Sequence, residues 1–412
     1  MRSQIVPAVV VLLVAGLGLA GWQVRGVLAP AEAHTTILFN QGLDAVVTDA
    51  PVGWTNAWCG SCHKQEFEQW QGSRHNVAAS AHNFEVECLE QGNRQQYCLN
   101  CHAPRIPFAG LPTSEPPGLD EAYREQPEWL ASGVDCLSCH VRDGVVVATN
   151  VTQKGIAEHA MRHDPALGKA EFCAGCHQFA FKDIDLPDRF HGALQQASLE
   201  EFLEYRAQGG VETRCHDCHM PRGAHRMPGG YDDKMVRQAV GMELEARWIE
   251  PGRVAEVTVR LRAGRVGHRV PGGEELRFLT VRTEVTGVDG HPMGSRVDDD
   301  AQQVDAEADL PEWPIVETLR RHMGDREHGR DPQATPAPDT RLRPGETRRY
   351  SYRITFEPGT VAGVLTVRSR LWYHLMHDGK AQLFRHRLED VQRVVRESEV
   401  HLAPPDRPTT GR

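Results

Sequence analysis

Positive charge is scarce in this chain. Its 46 Lys and Arg stand against 56 Asp and Glu, a net of −10. The imbalance sits in residues 1–240, which carry 19 basic against 28 acidic residues; the remainder carries 27 against 28. A basic surface for nucleic acid is therefore missing. An acidic front half suits either a basic partner or plain solubility. Hydrophobic residues are also few, 40% over 412 residues, so part of the interior has to be supplied by something other than side chains. Long apolar runs are lacking except for Ile5 to Gly21. Cysteines free to build disulfides are lacking too, because ten of the eleven fall in one repeated motif.

That motif is Cys-x-x-Cys-His, written five times: Cys59, Cys62, His63; Cys98, Cys101, His102; Cys136, Cys139, His140; Cys173, Cys176, His177; and Cys215, Cys218, His219. It is the attachment site of c-type haem. Two thiols bond one edge of the porphyrin, and the histidine that follows presents an imidazole to the iron. A single copy would be open to a redox or zinc reading; five copies, each followed by His, exclude both. The sequence thus predicts five covalent haems c, with the ten cysteines as attachment points and His63, His102, His140, His177 and His219 as proximal iron ligands. Successive motifs begin 39, 38, 37 and 42 residues apart, an even ladder that is no true repeat. The eleventh cysteine, Cys88, reads as a buried free thiol.

Residues 1–33 read as a targeting segment, either a signal peptide cleaved near Ala31-Glu32-Ala33 or an uncleaved membrane anchor, with the length of the apolar run favouring the anchor. Both export the remaining chain, as c-type haem attachment requires, and point to the periplasmic side of a bacterial inner membrane. Residues 34–55 form a linker and 56–240 the pentahaem domain. That domain is expected to be mostly helical or irregular, with a helix from Ser198 to Gln208 capped by Ser198 and by Glu201 in a capping box. Leu111 to Gly118 is rich in Pro and reads as a loop.

Beyond Tyr231 the period changes to two. Val257, Val259, Leu261; Leu279, Val281, Val285; Tyr350, Tyr352, Ile354; and Leu365, Val367, Leu371, Tyr373 alternate with polar residues. Pro251-Gly252, Asp289-Gly290, Pro344-Gly345 and Pro358-Gly359 mark turns. The fold class is therefore mixed: a helical or irregular multihaem domain followed by an all-β sandwich over 241–400. A long insertion at 291–342, with a short helix near 316–323, and a disordered tail at 401–412 complete the expectation.

Several segments together resemble the multihaem cytochromes c related to hydroxylamine oxidoreductase and to the tetrahaem carrier of ammonia oxidisers. They are Trp70-Gln-Gly-Ser-Arg-His75, Phe172 to Phe179, Cys218-His-Met-Pro221 with His225-Arg-Met-Pro-Gly-Gly230, Val266 to Gly273, and Asp339 to Glu346. The resemblance covers about residues 56–375 and implies a haem module fused to a C-terminal β domain. It does not fix an activity, because that superfamily mixes carriers, reductases and oxidases.

An imidazole on the second face of each iron makes a low-spin carrier, and an open face makes a site for substrate. With five proximal histidines set aside, 16 of 21 remain. His75, on an expected helix, is the first distal candidate and is supported by the resemblance. His159 and His163 are one helical turn apart, and the resemblance favours His159. His225 looks like the family's histidine before Gly-Gly. His268, between Gly267 and a Pro-Gly-Gly turn, would tie the β domain to a haem. His82, His191 and His163 compete for the fifth place. Arg74, Arg105, Arg142, Arg162, Arg189, Arg214 and Arg222 are candidates for pairing with haem propionates. The functional expectation is an electron carrier between a quinone-linked membrane donor and another redox protein. The alternative is a reductase or oxidase of a small nitrogen or sulfur compound at one open haem.

Overall fold

The computed structural model describes residues 53–90, 95–104, 131–182, 190–210, 213–273, 276–297, 313–321 and 339–404. The targeting segment at 1–33, most of the linker, the Leu111–Gly118 loop and the side chains of Cys88 and His191 lie outside that set. No helix among the described residues is long and apolar enough to cross a membrane.

The motif-bearing part is built of short pieces. Each motif closes a short helix: Asn56–Cys62, Gln95–His102, Cys136–His140, Ala170–His177 and Cys215–His219. One helical turn sets the two cysteines on one face, and the histidine falls at the helix end. Local chemistry starts these turns. The Thr55 hydroxyl accepts from the Trp58 N–H, and the Asp135 carboxylate accepts from the Ser138 N–H, each satisfying a donor the first turn leaves open. Small sheets fill the gaps. Strands β1 (Val141–Arg142), β2 (Val145–Ala148) and β3 (Met161–His163) make one; β4 (Gln178–Lys182) and β5 (Phe190–Ala197) make a hairpin. Buried apolar side chains are scattered here, among them Trp70, Leu99, Leu137, Val147, Leu167 and the small group Ala174, Leu199 and Phe202.

The C-terminal part is antiparallel. Strands β6 (Val240–Glu250), β7 (Val254–Ala263), β8 (Phe278–Thr286), β9 (Ser295–Val297), β10 (Ile315–Arg320), β11 (Thr347–Thr355), β12 (Leu365–His374) and β13 (Gln392–Leu402) form two four-stranded sheets, ordered β6-β7-β11-β9 and β10-β8-β12-β13. The alternating residues of both sheets share one core: Val257, Val259 and Leu261 meet Leu279, Val281, Ile354, Val367 and Leu371. All four expected turn glycines take the positive φ such turns need: Gly252, Gly290, Gly345 and Gly359.

Five expectations need correction. The helix expected near 316–323 is strand β10. Ile315 and Leu319 are buried and Val316 exposed, and a four-residue spacing is one face of a helix and equally one face of a strand. The 291–342 stretch is therefore partly sheet. The C-terminal part is not all-β, because short helices Asp378–Leu383 and Leu388–Val391 join β12 to β13. His75 lies in turns after the helix Lys64–Gln71, and His159 ends a helix in extended backbone with His163 in β3, so those two share no helix. Ser198 caps nothing: it is the first residue of the helix Ser198–Ala207, which has no side-chain cap.

Candidate haem-binding site

Among the described residues, four motif histidines each stand opposite a histidine outside the motifs. His63 meets His159 with ring centres 6.5 Å apart, His75 meets His177 at 6.1 Å, His140 meets His225 at 6.1 Å, and His219 meets His268 at 6.3 Å. Every pair joins one motif histidine to one histidine outside the motifs. Metal–imidazole bonds run about 2 Å and a ring centre sits about 1 Å further, so two imidazoles on opposite faces of one iron have centres about 6 Å apart. The spacing fits an iron between each pair. Spacing alone is not decisive: His82 and His386 stand 6.1 Å apart with no motif histidine, and His82 Nε2 is instead 3.2 Å from the Phe384 carbonyl.

Backbone carbonyls fix which ring nitrogen is presented. His102, His140, His219 and His268 set Nδ1 on the carbonyls of Ala78 (2.8 Å), Val147 (3.0 Å), Pro228 (2.7 Å) and Arg269 (2.9 Å). His177 Nδ1 lies 3.2 Å from the Gln196 side-chain amide. In the four carbonyl-bonded rings this leaves Nε2 for a metal and fixes the orientation. Burial, reinforced by His102 and His219, holds the His75 pKa down to about 4, and burial beside His75 takes His177 to about 3. Burial also lowers His140, His219 and His225. All are thereby kept neutral, the form that ligates. His177 is nevertheless exposed as a residue.

Long-range contacts bring the partners together. The Val134 N–H donates to the His75 carbonyl at 2.9 Å, and Trp70 Nε1 donates to the Val134 carbonyl at 2.8 Å, fixing the His75 turn. The His225 N–H donates to Gln69 at 2.8 Å. Trp54 and Trp58 stack on each other, and both rings approach His159. His102 carries Phe84 flat against its ring at 3.9 Å. Of the candidates for the fifth place, His82 turns to Phe384 and His386, and His163 pairs in β3 with Ala148.

The motif sulfurs are neighbours across the chain. Cys136 is in hydrogen-bond contact with Cys59, Cys173 with Cys215, and Cys176 with Cys101, while Cys139 is near enough to Cys173 and Cys176 to act on them electrostatically. The fourth motif is thus the junction of the second, third and fifth, and the first joins through the third.

The candidate arginines are mostly engaged with the protein. Arg142 donates to the Ser138 and Val141 carbonyls, Arg162 pairs with Asp143, Arg214 with Asp217, and Arg74 stacks on Tyr231. Arg105 and Arg189 lie outside the described residues. Sequence reasoning missed Gly133 and gave Glu201 the wrong task. Gly133 has φ +56°, and a Cβ there would come 2.3 Å from the His75 carbonyl oxygen.

Residues 58–141, which contain the first three motifs, match the family described as cytochrome c554 and c-prime. The fold is similar to that of a penta-heme cytochrome c552 from Thermochromatium tepidum, with a TM-score of 0.61 and 20% identity, over 88% of this chain and 100% of that one. No curated protein matches the sequence. The five motifs, the family match across three of them and the shared fold together support a multihaem cytochrome c.

Proposed function

We propose that the protein is a pentahaem electron carrier in which His159, His75, His225 and His268 are the distal ligands to the irons of the first, fourth, third and fifth motifs. The observation that carries this reading is the set of four facing imidazole pairs, 6.1 to 6.5 Å between ring centres. Bound haem supplies an iron that cycles between ferric and ferrous states, taking up and giving one electron. The chain's own residues supply the rest. Paired cysteines would fix each group covalently, the four imidazole pairs would hold the irons of their motifs, and the carbonyls at Nδ1 of His140, His219 and His268 would keep those three ligands from rotating. The closeness of Cys59 to Cys136, Cys101 to Cys176 and Cys173 to Cys215 would set neighbouring attachment edges side by side, as a conducting array needs. The two sheets with their common core act as a sandwich that delivers His268.

The apolar N-terminal segment supports a location on the periplasmic side of the inner membrane, with electrons received from a quinone-linked donor and passed to a soluble redox protein. The acidic front half favours a basic face on that acceptor. Carbon monoxide added to the dithionite-reduced protein tests the ligand assignment: the four paired irons should not bind it at neutral pH. Uptake of two or more equivalents per chain would refute it. Fractionation with haem staining tests the location, and recovery in the cytoplasmic fraction would refute that part.

A further inference from the structure

A buried cluster of charges joins the two halves of the molecule, and the electron-carrier reading leaves it without a task. Glu201, in the helix Ser198–Ala207, is 8% exposed, and Arg341, between β10 and β11, is 4% exposed. One Glu201 oxygen accepts from Arg341 Nη2 at 2.5 Å, and the other accepts from the Arg269 backbone N–H at 3.1 Å. Arg341 also donates to Asp339 at 3.0 and 2.8 Å and, through Nη1, to the Pro271 carbonyl at 3.2 Å. The Arg269 guanidinium reaches Asp339 at 3.0 Å and Glu204 at 3.3 Å.

The anchored backbone groups belong to residues 269 and 271, and His268 is the residue just before them. Its Nδ1 lies 2.9 Å from the carbonyl of Arg269, the residue whose N–H Glu201 holds. On the other side, Gly267 rests on Phe202 of the same helix, where a Cβ would come 3.3 Å from the ring. A buried ion pair is a poor source of net stability compared with well-packed apolar side chains, and fixing one geometry is its better-attested use. Here the geometry it fixes is that of the His268 loop over the helix that leads into the fifth motif.

We infer that Glu201 and Arg341 are positioning residues for His268, setting the distance and rotation of its imidazole relative to His219. The inference rests on the reading of His268 as a distal ligand. It makes the tightness of domain docking a control on one haem of the five.

The test uses the full, haem-loaded chain, with haem content and thermal unfolding recorded for every variant. His268→Ala comes first. If it leaves all haems low-spin, the ligand reading fails and the inference falls with it. If it creates one high-spin haem, Glu201→Gln and Arg341→Met are compared with the parent by electron paramagnetic resonance and redox titration. The expected result is a shifted low-spin signal or a partial high-spin signal from one haem, with that haem's midpoint potential moved and the other four unchanged. Added imidazole should restore the low-spin state. Unchanged spectra and unchanged titration in both variants, alongside a responsive His268→Ala, would overturn the inference. If Arg341→Met fails to mature, Glu201→Gln decides alone by the same readouts.

Discussion

Gly133 shows how a residue without chemistry of its own can govern a ligand. Its φ of +56° is left-handed, and any side chain there meets the carbonyls of His75 and Asn76. Gly133→Ala should therefore push the His75 turn away from His177, at a strain of about 1–3 kcal/mol. The expected readout is a high-spin signal replacing one low-spin haem, with a lowered Tm; a variant with parental spectrum and Tm would show that the turn does not depend on this glycine. At this scale the motif itself is legible, because two cysteines and a histidine at fixed short spacing are a local pattern. The pairing of histidines is not. His75 lies 12 residues after His63 in sequence yet faces His177, which no spacing rule reveals. Glu201 was misread for the same reason. Its offset from Ser198 imitates a capping box, whereas its partners are 68 and 140 residues away.

At the scale of elements, the strands were legible where one face alternates cleanly and ambiguous where the apolar residues are four apart, as at Ile315 and Leu319. Because both sheets line one core, damage to either should be felt by both. Leu261→Ala on β7 and Leu371→Ala on β12, each fully buried, should each cost about 2–5 kcal/mol. Calorimetry should find the same β-part transition lowered by both; two transitions, each sensitive to only one substitution, would mean that the sheets unfold separately. His374 on β12 adds a pH dependence. Burial, with Arg282 close by, lowers its pKa from 6.5 to about 4, while Thr280 bonds Nε2 and Phe278 stacks on the ring. The unfolded chain takes up the proton more readily than the folded one. Its contribution is therefore intact above pH about 6.5 and lost progressively as the pH falls toward about 4, by up to roughly 3 kcal/mol. His374→Gln should flatten that part of the acid limb in denaturant titrations, and an identical limb would contradict the assignment.

At the scale of the whole molecule the two halves are stabilised differently. The β part has its own continuous core, whereas the buried apolar residues described in the motif-bearing part are scattered. Its order is expected to come from covalent haem, as metal orders small metal-binding domains. Chain made in a host that cannot attach haem should keep a protease-resistant β fragment beginning near residue 240 and lose the rest. A compact haem-free fragment spanning 56–235 would contradict this. The low hydrophobic content and the change of period after Tyr231 are legible in the sequence; the cluster of Glu201 with Arg341 around His268 is not, because it depends on residues from three distant segments. The central claim is that four irons are held between imidazoles on both faces. Its most direct test is quantitative electron paramagnetic resonance of the oxidised, fully loaded protein, with haem counted by pyridine haemochrome. The account predicts five haems per chain, of which at least four give low-spin, bis-imidazole signals. High-spin signal amounting to two or more haems per chain would contradict it.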